Sequence, residues 1–167
     1  MATLNDLLRH HTNLSDQAQQ HLRRLVATWG PLSDLSFGDL LLFVPAKDQR
    51  LLAVGQVRPT TTQTLYRTDH VGLFSRDRPL VSEALSSGEA VAGSVHRDDV
   101  DVPVSVRAVP LRHNGQVIAV LVSESSRTSI RGPGELERTY LRVVEKLFSM
   151  LTDGSFPYPF DDPTSET

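Results

Sequence analysis

Histidine side chains are the first candidates for chemistry in this sequence, and their spacing limits what they can do. His10 and His11 are adjacent, and adjacent residues on a helix point about 100° apart, so this pair cannot chelate one metal ion cleanly. His70 and His96 stand beside predicted strands in a loop-rich middle region. An imidazole in such a place could contact a ligand or a haem group.

Arginines offer a second kind of site, because a guanidinium group suits the recognition of phosphate. An anion-binding pocket could be formed by Arg58, Arg67, Arg76, Arg97 and Arg107. Their wide spacing along the chain is also typical of arginines that only keep a surface soluble. The sequence leaves both interpretations open.

Motifs of the common enzyme classes are missing. The sequence contains no G-x-x-x-x-G-K-[ST], no G-x-G-x-x-G, no G-x-S-x-G and no H-E-x-x-H. It also contains no Cys, which removes disulfides, thiolate metal sites and cysteine nucleophiles. Asp98, Asp99 and Asp101 lack the Gly and the terminal Glu of a calcium loop, so we expect a solvated loop. We predict no catalytic residue, no metal site and no cofactor within this chain.

Length, charge and hydropathy are those of a small globular protein. A chain of 167 residues fits one domain, and its net charge of −3 argues against a nucleic-acid-binding surface, which is strongly basic. No signal peptide is visible, and the longest apolar runs, residues 40–45 and 117–122, are too short to cross a membrane. We expect a cytoplasmic protein that binds neither nucleic acid nor membrane.

Helical spacing marks the front of the chain. Thr3 and Asp6 predict a capped short helix, and Ser15 predicts the start of a longer helix that residues 30–31, Gly-Pro, should end. His21 is expected on the polar, solvated side of this second helix.

Strands fill the middle of the chain. Residues 40–44 and 51–57 predict a hairpin, residues 64–67 a further short strand, and residues 91–95 an edge strand. A helix is expected to begin near Pro79, with Gly88 just past its end.

The strongest hairpin signal follows. Valines at positions 102, 104 and 106 alternate with Pro103, Ser105 and Arg107, which predicts one buried and one exposed face. The strand is expected to continue over residues 109–112, with an irregularity at Pro110. Asn114 and Gly115 predict a tight turn, because both tolerate positive φ. Residues 117–122 are the return strand, and His113, beside the turn, is expected to be solvated.

A broad apolar stripe predicts a last helix over residues 135–152, ended by Gly154; part of the stripe could face a second subunit. Prolines alternate with aromatic residues beyond it. We therefore predict one domain over residues 1–154 and a linker over residues 155–167. Antiparallel hairpins with helices before, between and after them predict an α+β fold with a single antiparallel sheet.

Several stretches resemble known signalling domains. Residues 108–121, AVPLRHNGQVIAVL, are similar to the penultimate hairpin of GAF domains, although Ala119 stands where many members have Gly. Residues 85–91 resemble the helix end and following strand of the same superfamily. More specifically, the chain resembles the N-terminal sensor domain of actinobacterial PdtaS-like histidine kinases, in residues 4–8, 34–40, 56–59, 68–72 and 147–157.

The resemblance implies a GAF/PAS-like fold and a sensory input domain of a two-component histidine kinase, itself non-catalytic. In that family a PAS-like domain, a dimeric phosphoacceptor helix pair and an ATP-binding domain follow, and the phosphoryl group passes from His to a response regulator. The phosphoacceptor and ATP-binding motifs are missing from these 167 residues. We accordingly expect a homodimer. We also expect that this chain is part of a longer protein, in which kinase domains follow Thr167, bind ATP and pass the phosphoryl group to a response regulator.

The expected ligand site is a cavity between the sheet and the middle loops. A small molecule would bind there beside Tyr66, Arg67, His70, Phe74 and His96, and would alter the last helix. Two other functions stay open. The domain could be a ligand-free dimerisation or interaction module, or a small enzyme, although the cysteine-dependent sulfoxide reductase route of GAF-like enzymes is excluded.

Overall fold

The computed structural model describes residues 2–61, 63–76, 78–97, 100–126 and 134–157, which form a six-stranded antiparallel sheet with helices on both faces. The strands are β1 (Asp39–Pro45), β2 (Leu51–Val57), β3 (Phe74–Ser75), β4 (Val91–Arg97), β5 (Val100–His113) and β6 (Gln116–Ser126), in the order β3-β2-β1-β6-β5-β4. The helices are α1 (Leu4–His11), α2 (Asp16–Thr28), α3 (Gly30–Ser36), α4 (Pro79–Ser87) and α5 (Glu135–Asp153). The predicted α+β class is confirmed.

The central strand β1 is buried on both faces, and its alternation separates two cores. Leu40 and Leu42 point to a core that also contains residues of α1, α2, α3 and α5; we call this side the helical face. Leu41 and Phe43 point to a second core with residues of α4 and the segment between β2 and β3; we call this side the loop face. An apolar run such as residues 40–44 is typical of a strand covered on both sides.

The front helices follow their predicted caps. Thr3 and Asp6 form a reciprocal capping box on α1, and the Ser15 hydroxyl accepts the Ala18 N–H at the start of α2. The predicted stop at residues 30–31 is only partly right, because α2 ends and a further helix, α3, begins there. Proline is compatible with a first helical turn, since its missing N–H would have no partner in that position.

One predicted strand is wrong. Residues 64–67 form no strand, because the Thr64 hydroxyl and the Leu65 N–H donate to the carboxylate of Asp39 instead of a neighbouring strand. The strand at this sheet edge is β3, which pairs with β2 through Leu52 and Phe74. The other middle elements are confirmed, including the edge position of β4 and the start of α4 at its proline.

The hairpin between β5 and β6 is confirmed in register and in turn geometry. Asn114 has φ 51° and Gly115 has φ 76°, and His113 pairs with Gln116 across the two-residue turn. Both turn residues therefore adopt the positive φ that this type of turn requires. The irregularity predicted at Pro110 lies between Leu111 and Arg112 instead.

The last helix is confirmed, and α5 ends at Gly154 with φ 86°. Residues 158–167 lie outside the described residues, so the linker beyond the domain stays a prediction. The loop predicted to be solvated at Asp98 and Asp99 lies outside the described residues as well.

His21 is not on a solvated surface. It is 3% exposed, because it stands three residues after Ala18 and four before Leu25 on the buried side of α2. Its ring lies 4.9 Å from the ring of His113, and neither Nε2 atom has a hydrogen-bond partner within the described part of the chain. Its helical spacing from Ala18 and Leu25 indicates the buried side of α2, whereas its polar residue type led to the wrong prediction of a solvated position.

We predict that His21 makes the stability of the domain depend on pH. Burial, followed by the nearby His113 and Arg24, lowers the pKa of His21 from 6.5 to about 4. The unfolded chain therefore takes up this proton first as the pH falls, and stability present above pH 6.5 is lost towards pH 4. Urea unfolding should show a loss of roughly 2 kcal/mol between pH 7 and pH 5 that is missing in His21→Leu. The exposed control His10→Gln should keep the wild-type slope, and an unchanged slope in His21→Leu contradicts the prediction.

Candidate functional site

The carboxylate of Glu124 is buried on the loop face of the sheet. Strand β6 presents Val120, Val122 and Glu124 to this face in alternation, and Glu124 is 1% exposed. Removing a carboxylate from water is costly unless charged or hydrogen-bonding groups replace the water. Those groups come from three other parts of the chain.

Two arginines and a tyrosine surround this carboxylate. Arg97 Nη1 lies 2.7 Å from Oε2 of Glu124, and Arg78 Nη1 lies 3.1 Å from Oε1. The Tyr66 hydroxyl donates a short hydrogen bond to Oε2. We call Glu124, Arg78, Arg97 and Tyr66 the Glu124 cluster.

The cluster joins segments that are far apart in sequence. Tyr66 belongs to the connection between β2 and β3, Arg78 immediately precedes α4, and Arg97 is the last residue of β4. The Arg97 guanidinium also lies 4.5 Å from the centre of the Tyr66 ring, and the Arg78 guanidinium lies 4.8 Å from the centre of the Phe43 ring. Each such cation–π contact adds about 0.5–2 kcal/mol. The carboxylate therefore fixes a loop, a helix start and an edge strand over one patch of the sheet.

The tyrosine acts as a permanent hydrogen-bond donor. Burial, reinforced by the negative charge of Glu124, raises the pKa of the Tyr66 phenol above its usual range. The hydroxyl therefore stays protonated at physiological pH. It is suited to holding the carboxylate and unsuited to acting as a general base.

A second buried carboxylate lies directly beside the first. Asp39 of β1 is the register partner of Glu124 of β6, and it is 1% exposed. It accepts hydrogen bonds from the Thr64 hydroxyl and, at 2.8 Å, from the Leu65 N–H. Like charges opposite each other destabilise a sheet unless each is compensated. The two acids have different partners: Asp39 accepts from Thr64 and Leu65, and Glu124 accepts from Tyr66 and pairs with the two arginines.

A cavity of about 440 Å³ opens beside the cluster. Its charged lining residues are Arg78, Arg97 and Glu124. The apolar part of its wall comes from α4, β4, β5 and β6, namely Pro79, Leu80, Val81, Val95, Val106 and Val122. A concave site of this size, mostly apolar with a few convergent polar groups, is typical of small-molecule binding sites.

The five residues predicted from sequence are only partly brought together. His96 lines the cavity, and Tyr66 supports its charged end and contacts His70, with the two ring centres 4.7 Å apart. Arg67 is exposed. Phe74 lies on the helical face, where its ring contacts His11 and Arg50, so the sheet separates it from the cavity.

The arginines considered for an anion pocket separate in the same way. Arg97 lines the cavity, whereas Arg107 lies across the sheet and pairs with Glu145 of α5. Sequence reasoning missed Arg78 and Glu124. An acidic residue in phase with the buried valines of β6 was a usable signal for Glu124. Arg78 had no comparable local signal.

Other features of the described residues point away from alternative sites. A groove of about 500 Å³ between β2, β3 and α4, and one of about 400 Å³ between α4 and α5, are lined by charged residues that are at least partly exposed. Nowhere in the described ranges do three His, Asp or Glu side chains come together in a way that could hold a metal ion. None of the helices described is long and apolar enough to cross a membrane.

Comparison with known proteins gives a consistent family. The sequence family described as the GAF domain of histidine kinase PdtaS matches residues 4–144. The chain is 41% identical over 166 residues to sensor histidine kinase PdtaS of Mycolicibacterium smegmatis, and 38% identical over 167 residues to that of Mycobacterium tuberculosis. Both alignments cover 94% of this chain and 32% of the relative, so the chain spans about a third of the length of these curated relatives.

A solved structure is similar over the same extent. It is described as the sensor region of a sensor histidine kinase, with 36% sequence identity and a TM-score of 0.80. The match covers 97% of this chain and 57% of that chain.

We predict that the buried carboxylate is essential to the stability of the domain. Glu124→Gln removes the buried anion that pairs with Arg78 and Arg97, so the free energy of unfolding should fall by about 3 kcal/mol in urea denaturation. The matched control is Asp48→Asn, which removes an acid from an exposed pair with Arg50 and should leave the free energy of unfolding nearly unchanged. Equal small losses in the two variants would show that the cluster contributes no more than a surface ion pair.

Proposed function

The chain belongs to the GAF-domain family of the histidine kinase PdtaS, and on that premise we propose that it is the sensory input domain of a longer sensor kinase. A small molecule binds in the cavity beside the Glu124 cluster. Binding changes the position of α5, which leads towards the rest of the protein. The domain itself carries out no catalysis.

The observation that supports this proposal is that strand β5 lines the cavity with one side and contacts α5 with the other. Val106 lines the cavity on the loop face, while its neighbour Arg107 pairs with Glu145 of α5 on the helical face. The Arg107 guanidinium also lies 5.4 Å from the centre of the Phe148 ring. A shift of β5 that accommodates a ligand therefore acts directly on residues that hold α5.

A second contact joins the cavity wall to the end of α5. The first turn of α4 lines the cavity, and Gly88 ends α4 in a left-handed conformation. A Cβ at Gly88 would clash with Nη2 of Arg112, so the guanidinium packs closely against this helix end. Nη1 of the same arginine donates to the Thr152 carbonyl, 3.2 Å away, in the last turn of α5. Arg112 thus links the carboxyl ends of both helices, where a cation is electrostatically favourable.

We propose that the occupant of the outer face of α5 is a second copy of this chain. Leu136 and Val143 are 63% and 43% exposed, and they stand in one stripe with the half-buried Tyr140 and Leu147. This stripe runs along the edge of the buried face that Val144, Phe148 and Leu151 form. The exposed stripe of α5 continues towards the part of the protein in which histidine kinases of this kind pair their phosphoacceptor helices. A two-fold axis along α5 would therefore suit the pairing of this domain as well as that of the phosphoacceptor helices.

The attached parts of the protein complete the proposal. We infer that kinase domains follow this chain, that they bind ATP outside it, and that they pass a phosphoryl group to a response regulator. The chain's own share of the relatives' length, 32%, leaves room for such domains. We place this protein in the cytoplasm, where ATP and a response regulator are accessible.

A second candidate function is a ligand-free dimerisation module. It is favoured by the internal satisfaction of the Glu124 carboxylate, whose two oxygens already accept from Arg78, Arg97 and Tyr66. In that case the cavity is a by-product of packing, and only the α5 stripe carries the signal.

We predict that filling the cavity changes kinase output. In the full-length protein, Val95→Phe adds bulk inside the cavity and should change the rate of autophosphorylation at least about fivefold, the lower end of typical coupling between sites. The matched control is Ser94→Phe, which adds the same side chain at the adjacent, exposed position of β4 and should leave the rate unchanged. A folded Val95→Phe protein with the wild-type rate would favour the ligand-free module.

We predict that the α5 stripe mediates self-association. Leu136→Glu and Val143→Glu place charges where apolar area should be buried, so each should weaken the dimer about tenfold or more in sedimentation equilibrium. Arg138→Glu introduces the same side chain at an exposed position on the other side of α5 and should leave association intact. A wild-type domain that stays monomeric up to millimolar concentration would contradict the prediction.

A further inference from the structure

We propose that the turn from α3 into β1 couples the β2–β3 connection to the first half of α5. We call residues 34–39, which include the end of α3 and the first residue of β1, the coupling turn. The inference rests on the proposed sensory role, because the connection carries Tyr66 of the Glu124 cluster and α5 carries the stripe assigned to self-association. It adds a route between the two that does not pass through β5.

Both ends of the coupling turn hold the β2–β3 connection. At the front end, the Asp34 carboxylate accepts the Thr60 N–H at 2.7 Å and the Thr60 hydroxyl at 2.8 Å. At the far end, the Asp39 carboxylate accepts from the Thr64 hydroxyl and, at 2.8 Å, from the Leu65 N–H. A displacement of the connection therefore acts on both ends of the turn.

The middle of the coupling turn is strained. Phe37 ends α3 in the left-handed conformation, with φ 52° and ψ 39°. This conformation is unfavourable for a residue with a Cβ, and glycine is the usual residue at such a helix end. A bulky residue persists in it only where the surrounding structure fixes it. We infer that the ring at position 37 contributes a contact that glycine could not provide.

The neighbouring Gly38 fixes the turn against the sheet. A Cβ at Gly38 would lie 2.9 Å from the carbonyl oxygen of Glu124 in β6, which is too close for any residue other than glycine. The Gly38 carbonyl accepts from the buried Ser33 hydroxyl at 2.7 Å, and the Gly38 N–H donates to the Ser33 carbonyl at 3.4 Å. Because Gly38 is held in this way, a displacement at the ends of the turn is taken up at Phe37.

The Phe37 ring contacts α5. It stacks on the ring of Tyr140, with the ring centres 6.2 Å apart and the ring planes inclined by 19°. Tyr140 lies between Leu136 and Val143 on the exposed stripe of α5. This half of the helix precedes Glu145, with which β5 pairs. A rotation of Phe37 therefore moves the part of α5 at which we expect the second subunit to bind.

The test is amide hydrogen exchange in the 167-residue chain after the turn is released from the connection. Asp34→Ala removes the acceptor of both Thr60 donors, while alanine favours the helical conformation of α3. We expect amides 138–142 of α5 to exchange at least about twofold faster, the lower end of the effects of mutations along coupled contacts. The matched control is Asp48→Ala, which removes an exposed acid that accepts the Arg50 N–H and should leave exchange in α5 unchanged.

A second substitution shows whether the change passes through the aromatic contact. Phe37→Gly removes the ring and suits the left-handed backbone, so α1 and α2 should keep their protection. In this background Asp34→Ala should no longer alter exchange in α5. Tyr140→Leu removes the other ring of the stack and should have the same result, because leucine is favourable in a helix. It provides an independent test if Phe37→Gly disturbs the turn.

Unchanged exchange in α5 of Asp34→Ala, an equal change in Asp48→Ala, or a change that persists in both ring variants would each overturn the coupling. Autophosphorylation of the full-length protein separates this inference from the sensory role. If Val95→Phe changes the rate while Asp34→Ala leaves α5 unaffected, the sensory role stands without this route. If exchange shows the coupling and neither Val95→Phe nor Phe37→Gly changes the rate, the coupling stands and the sensory role fails.

Discussion

Burial of the Glu124 carboxylate imposes the constraint on which the loop face is organised. A charge enclosed in an apolar sheet must recruit partners, and here these come from the β2–β3 connection, from the residue before α4 and from the end of β4. Asp39, directly opposite on β1, imposes the same requirement on Thr64 and Leu65. The irregular part of the chain is therefore positioned by two acids on regular strands, and the cavity is the space left between those partners and the valines of the sheet.

The sheet connects this cavity to the helical face by simple alternation. Successive residues of a strand point to opposite sides of the sheet. If one residue of a strand lines a ligand site, the next residue therefore contacts the layer on the other side. In β5 these neighbours include Arg107 and Val109, which face α5. Arg112, farther along the same strand, contacts the last turn of α5. A sensory role requires that this contact network has two conformations and that the ligand binds one of them more tightly, because a ligand shifts an equilibrium only through a difference in affinity.

The features that sequence predicted well are those with local causes. The β5–β6 turn depends on two adjacent residues that accept positive φ, and α1 depends on a cap three residues from its partner. The Glu124 cluster has no such local cause, since Arg97 is 27 residues and Tyr66 58 residues from Glu124 along the chain. Phe74 was predicted to line the same cavity as Tyr66, yet it lies in β3 with its side chain on the helical face. The error at His21 came from judging its surroundings by residue type, while helical spacing already indicated burial.

Amide hydrogen exchange of the Glu124→Gln variant tests most directly the claim that the Glu124 carboxylate positions the loop face, because it measures the loss of protection separately in each segment. If the carboxylate holds the three segments together, backbone amides around residues 64–72, in α4 from Ser82 onwards and at the end of β4 should lose protection together, while α1 and α2 keep theirs. Faster exchange confined to β6, or a uniform loss across both faces, would contradict the account, since either result would mean that the loop face is positioned by something other than this buried charge.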